Sequence, residues 1–267
     1  MGLRASLVTI LLLIAGCAAT GGQPQLPYPA FVHTDDAATT FLATLPGVRA
    51  AVYRSDIRTG AAGYRIDIPP DWTGSTGGAP GKALEVFVLA GELRFSEFPL
   101  RAGGYAYVPP GSMGFRLESD NGAQVLYFLD DVPESSVIRA PLLLDSELAP
   151  WRELSPGLYI KILREDPGSG ATTWLQRIEP GVSLPWQSSN SPREGYLVSG
   201  EYQHSECFDG RGETGVYEAG GYFRRPAGII HGGPESRAIS DAIWFFREPR
   251  SADLNTAAWC GASGGGN

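Results

Sequence analysis

Histidine is scarce in this sequence. The 267 residues include three, His33, His204 and His231. A bound Mn, Fe or Zn normally needs several imidazole or carboxylate ligands converging on an open position. No histidine lies between His33 and His204; with His33 expected at the surface ahead of the first β unit, that unit has no imidazole for a metal. Basic residues form no block, and the formal charge is −8. Nucleic-acid binding therefore has no electrostatic footprint, and anionic lipid headgroups find nothing to attract them. No apolar run approaches the roughly 20 residues needed to span a bilayer; the longest, Ala5 to Ala15, has about eleven. A nucleophile elbow, a phosphate loop and a dinucleotide fingerprint are all missing.

What is present points to β-structure. Apolar residues make up 43 %, with 35 glycines and 21 prolines spread along the chain, enough for one large domain or two of ordinary size. Asp35 and Asp36 open a short helical pattern that runs to Leu45 and stops at Pro46-Gly47, an acidic N-terminus being favourable for a helix. From Ala50 onward, short alternating runs replace it, among them LEVFVLA, AQVLYFL, LYIKIL and AIWFF. Period-two alternation with Gly and Pro breaks indicates an all-β sandwich or barrel.

The runs repeat. Glu85 to Glu92 (EVFVLAGE) matches Glu194 to Glu201 (EGYLVSGE). Ala102-Gly103-Gly104-Tyr105 matches Ala219-Gly220-Gly221-Tyr222, and Pro109-Pro110-Gly111 matches Pro226-Ala227-Gly228. Two equivalent β units account for the length, with a seam in Asp131 to Ser146.

These residues resemble the cupin superfamily, and the duplication resembles a bicupin. Gly220, Pro226, Gly228 and His231 match the second cupin signature residue by residue. Gly103, Pro109 and Gly111 match it as well, but Gly114 stands where the histidine belongs. Within the superfamily the second half is similar to the ChrR-like cupin family, in ILREDPGSGATTWLQRIEPG and GGYFRRPAGIIHGGPES. The first half is similar to ureidoglycine aminohydrolase-type bicupins, in VFVLAGELRF and GGYAYVPPGS. The resemblance implies two tandem double-stranded β-helix, jelly-roll-like barrels. The expected organisation is a signal peptide at 1–16, a linker at 17–34, a degenerate metal-free unit at 35–140, a second unit at 141–250 and a tail at 251–267.

The N-terminus supports export. Arg4 precedes the apolar run, which ends at Leu13-Ile14-Ala15-Gly16-Cys17. This resembles the lipobox of bacterial lipoproteins, whose cysteine is diacylated. Ala18 after it suggests sorting to an outer membrane, facing the periplasm, and multiple acyl chains give stable anchoring. The membrane, reached through lipid on Cys17, is thus the expected partner, with a homodimer through sheet edges a further one. Of the other cysteines, Cys207 and Cys260 either pair in an oxidising compartment or remain a buried and a mobile thiol.

The first cupin signature should supply a histidine pair and a glutamate. Gln187 and Ser189 stand where the second half needs those histidines, and the first half has no ligand at all. Glu85 and Glu194 lie six residues before Gly91 and Gly200, where metal cupins use seven. One residue of shift reverses the face of a strand. Barring a bulge, both glutamates face outward and Leu84 and Arg193 take the ligand position. In the second unit His231, His204, Glu194 and Gln187 are the candidate ligands for a divalent metal, and Tyr202 and Arg225 are candidate contacts for a small molecule. Two functions follow. One is a non-catalytic protein that binds or senses a small polar or anionic molecule in the second unit. The other is a metal-dependent cupin enzyme of hydrolase or oxygenase type.

Overall fold

A computed structural model describes residues 23–76 and 81–260. Cys17, the signal segment and residues 261–267 lie outside the described residues. The described chain is built of strands, with 3-10 turns at Thr34–Asp36 and Ser146–Leu148.

Two large antiparallel sheets have the same internal order. In the first, the main path runs Leu142–Asp145, Gly104–Val108, Ala83–Phe95, Ala123–Asp130, Ala62–Ile68, Arg49–Ser55, Thr39–Phe41. In the second it runs Val32–His33, Gly221–Arg225, Arg193–Ser199, Ala242–Glu248, Thr172–Ile178, Leu158–Glu165, Arg152–Ser155. The internal repeat is therefore a repeat of topology. Smaller strand groups cover the outer faces: Trp72–Ser75, Phe98–Arg101 and Arg116–Ser119 over the first sheet, and Glu201–Phe208, Arg211–Glu218 and Arg237–Ala238 over the second.

Alternation explains the layering. In the strand Ala83–Phe95, Leu84, Val86 and Val88 point into an apolar core with Trp72, Phe95 and Leu117, whereas Phe87 points the other way. The two large sheets meet through these other faces, where Phe87, Tyr105, Phe128, Tyr196, Tyr222 and Phe245 form a shared aromatic layer. A third core, with Trp174, Phe223, Tyr202, Tyr217 and Trp244, lies between the second sheet and its cover.

The expectation of two closed barrels is not met. Each large sheet is an open run of strands, and among the described residues no hydrogen-bonded pair joins its two ends. The cause lies in the edges. Val32–His33 comes from the N-terminal segment and pairs with Tyr222 and Gly221 of the second sheet. Leu142–Asp145, from the end of the seam and inside the bounds expected for the second unit, pairs with Gly104–Val108 of the first. One edge of each sheet is thus extended by a strand from outside its own unit and is not joined to the opposite layer.

The helical pattern at Asp35 to Leu45 is also corrected. Only the turn Thr34–Asp36 forms. The His33 ring accepts from the Asp35 N–H at its start, and the Ala37 N–H closes it on the Thr34 carbonyl. Thr39–Phe41 then adds to Arg49–Ala51 as an edge strand. So short a helix cannot repay its nucleation, and the β-branched Thr39 and Thr40 suit the open edge.

Candidate functional site

Inward-facing positions of four strands converge between the second large sheet and its cover. Tyr202, His204 and Glu206 alternate along Glu201–Phe208, and Phe223 and Arg225 along Gly221–Arg225. Trp174, Gln176 and Ile178 arrive from one neighbouring strand, Trp244 and Phe246 from another. His231 enters from the loop after Pro226-Ala227-Gly228. Its backbone exchanges two hydrogen bonds with Gln187, of 2.9 and 2.8 Å. These groups enclose a cavity of about 200 Å³ with a largely apolar wall.

Among the described residues, three buried polar atoms there have no hydrogen-bond partner: Tyr202 Oη, His204 Nδ1 and His231 Nε2. The network assigns the tautomers. His231 Nδ1 lies 3.0 Å from the Ile229 carbonyl, which can only accept, so Nδ1 carries the proton and Nε2 presents a lone pair. His204 Nε2 lies 2.8 Å from Arg225 Nη2, which can only donate, so Nδ1 carries the proton and is a free donor. The rings are 5.9 Å apart. Burial lowers both imidazole pKa values, that of His231 well below its ordinary value with Arg225 adding to the effect. Both are neutral at physiological pH.

The cavity's cations are already matched. Arg225 grips Glu206 in bidentate fashion, with Nε to Oε2 at 2.8 Å. Burial alone would raise the Glu206 pKa, but Arg225 and His204 hold it down. Arg193, in the position that metal cupins give to a ligand, pairs with Glu248 at 2.7 Å and lies over the Trp174 ring.

Glu194 does not reach this cavity. As the strand parity required, Glu85 and Glu194 point into the layer between the large sheets. Arg247 bridges them, with Nε 2.7 Å from Glu85 Oε2 and Nη1 2.8 Å from Glu194 Oε2, and its Nη2 reaches Asp130 at 2.7 Å. Each glutamate also accepts from the tyrosine of its own repeat, Tyr105 or Tyr222, and from an arginine of the other unit, Arg164 or Arg54. Three carboxylates thus meet three guanidinium groups. Burial opposes ionisation of Glu85, yet Arg247, Arg164, Thr173 and Tyr105 hold its carboxyl at about 2. A polar cleft of about 370 Å³ opens beside this network.

The structure therefore brings His231, His204, Tyr202, Arg225 and Gln187 together and leaves Glu194 out. Sequence reasoning missed Arg54, Arg164 and Arg247. Two of them carried a signal, because YRSD at 53–56 and LRED at 163–166 occupy equivalent strands of the repeat. Cys207 and Cys260 are paired, with Cα atoms 5.3 Å apart.

These residues do not fit a divalent metal. His231 Nε2 is the one imidazole lone pair facing the cavity unengaged. His204 Nε2 and both Glu206 oxygens are taken by Arg225, whose charge opposes a second cation. Among the described residues no group of three or more His, Cys, Asp or Glu could hold a metal ion.

Residues 139–249 match the family model described as ChrR Cupin-like domain. Among solved structures, the chain is similar to a putative dioxygenase from Nostoc punctiforme, at 20 % identity over 87 % of this chain and 88 % of that one, with a TM-score of 0.67. It is similar to a putative glyoxylate-induced protein from Pseudomonas aeruginosa, at 14 % identity over 88 % and 95 %, with a TM-score of 0.69. It is also similar to a mutant of oxalate decarboxylase from Bacillus subtilis, at 13 % identity over 88 % and 81 %, with a TM-score of 0.63. At these identities the likeness is one of fold. No curated protein matches the chain.

Proposed function

Taking as premise that residues 139–249 are a ChrR-like cupin domain, in a chain with the cupin-superfamily fold, we propose a binding protein whose second unit holds a small uncharged molecule. That molecule has an apolar body and one hydrogen-bonding end. The observation that carries this reading is the set of three unpartnered atoms, Tyr202 Oη, His204 Nδ1 and His231 Nε2, on an otherwise apolar wall. An unsatisfied buried polar group costs about 1–3 kcal/mol, so three together favour a ligand that completes them. His204 offers a donor, His231 an acceptor and Tyr202 either. A primary amide, or a hydroxyl beside a carbonyl, has the complementary pair. An anion is less well served, since Arg193 and Arg225 are both neutralised by carboxylates.

The first unit has a packed apolar interior and serves as scaffold for the second, the pair forming a two-cupin arrangement. Anchoring through lipid on Cys17, at a membrane facing the periplasm, completes the proposal. The Cys207–Cys260 bridge supports an oxidising compartment.

Benzamide is a suitable probe, and quenching of Trp174 and Trp244 reports its entry. Saturable quenching is expected, with benzoate at least about tenfold weaker and His231→Ala raising the benzamide Kd about tenfold, as for one lost hydrogen bond. Elemental analysis of protein purified without an affinity tag should find metal far below one equivalent. Equal binding of benzoate, or no saturation with benzamide, would count against the uncharged-ligand reading. Stoichiometric metal with turnover would replace it by the metal-dependent enzyme.

A further inference from the structure

We propose that the C-terminal strap, residues 251–260, is a gate to the second-unit cavity, held shut by the Cys207–Cys260 disulfide and released when a dithiol reduces it. The inference rests on the cavity reading above and extends it from what the cavity holds to when it can be entered.

The strap touches the cavity in two ways. Leu254 is part of the wall and, 53 % exposed, stands at the mouth with Leu154. The strand Leu254–Thr256 also pairs with Gln187–Ser189, with Thr256 opposite Gln187. The backbone of Gln187 holds His231 on one side, and Glu206 of the cover strand pairs with it on the other. Strap, Gln187 and His231 are therefore successive rungs of one ladder, and the strap backs the rung that aims the His231 acceptor.

Its own grip is slight. The strand has three residues, all exposed. Beyond it, among the described residues, the strap has the Ala257 N–H to the Trp186 carbonyl at 2.8 Å, the Ser251 N–H to the Ser169 carbonyl at 3.3 Å and the mutual contacts of Asn190 and Asp253. Trp259 is 58 % exposed, while Cys260 beside it is buried. A segment held by so few bonds opens readily unless it is tied down. The bridge ties it to Cys207, on the same strand as Tyr202, His204 and Glu206.

Cys207 is partly exposed, so a thiolate can reach the bridge. That thiolate attacks one sulfur and expels the other as a thiolate. The reductant's second thiolate then resolves the mixed disulfide. Two electrons and two protons thus pass from the dithiol to the bridge: Cys207 and Cys260 become thiols, and the dithiol becomes a disulfide. Freed of the bridge, the strap leaves Gln187, and the mouth opens at Leu254.

The test compares wild-type protein before and after dithiothreitol with the variant Cys207→Ser/Cys260→Ser. Deuterium exchange at residues 253–257 reads the strap, and carbethoxylation of His231 by diethylpyrocarbonate reads access. With the bridge intact both should be slow. After reduction each should accelerate at least about tenfold, as for a local opening, while exchange in Arg193–Ser199 and Ala242–Glu248 stays unchanged. If the double variant does not fold, reduction of the folded wild type gives the same comparison. Exchange in the strap unaffected by reduction would overturn the proposal, as would a freed strap with no change at His231. Failure of benzamide to bind while His231 reactivity follows the redox state would instead fault the ligand reading and leave the gate standing.

Discussion

Glu85 and Glu206 are ionised where water does not reach them, and this sets the direction of the response to acid. Both carboxyls are held below the usual range in the folded chain, Glu85 at about 2. The unfolded chain therefore binds more protons between that value and about 4.5, and stability rises with pH across that window. Its contribution is fully present above the unfolded value and lost as pH falls towards 2, on the order of 3 kcal/mol for Glu85 alone. His204 and His231 act in the same sense from higher up, being depressed from an ordinary 6.5. Urea midpoints should be level from pH 8 to 7, decline below about 6.5 and fall more steeply below about 4.5. A midpoint that rises on acidification would contradict the ionised network. The position of Glu85 was legible from a count of six residues to Gly91. Of its partners, Arg164 carried the trace of the repeat in LRED, whereas Arg247 approaches from the other unit and nothing local in its strand marks it.

Two kinds of turn glycine recur among the strands, and they differ in what surrounds them. Gly200 has φ +87°, and a Cβ there would lie 2.2 Å from the Asp241 carbonyl oxygen. Gly228 has φ +83°, with nothing within 4 Å of such a Cβ. Gly200→Ala should thus destabilise by at least about 2 kcal/mol, combining left-handed strain with a backbone clash. Gly228→Ala should cost only the strain, about 1–2 kcal/mol. Paired urea titrations check the ranking, and equal losses would sink it. Most strands longer than about five residues were legible because alternation marks their buried face; Arg211–Glu218 was not, since most of its residues are exposed or partly exposed. Val32–His33 was not, since two residues hold no period. The closed barrels failed for the same reason: closure depends on what occupies an edge, and here the occupants are short segments from outside each unit.

For the molecule as a whole, duplication was the most legible feature, and the gly-rich turns that reveal it sit in equivalent places of both sheets. The mutual burial of the two large sheets was not legible, because an outward aromatic such as Tyr105 or Tyr222 looks the same in sequence whether it meets water or another sheet. The proposed anchor is tested by fractionating cells that express the wild type or Cys17→Ser. Wild type should sediment with membranes and take up a labelled fatty acid, and the variant should do neither; a sedimenting, unlabelled wild type would refute acylation. The N-terminal segment gives that anchor a spatial meaning. Gln23 bonds to the Val216 carbonyl, Pro29 accepts from the Arg224 N–H, and Val32–His33 completes the second sheet. Only five residues lie between Cys17 and Gln23, six residue steps that reach about 20 Å at full extension. A lipid on Cys17 would therefore moor the second unit against the bilayer and turn the first outward. The gated cavity would then sample whatever partitions at the lipid surface in preference to the open compartment.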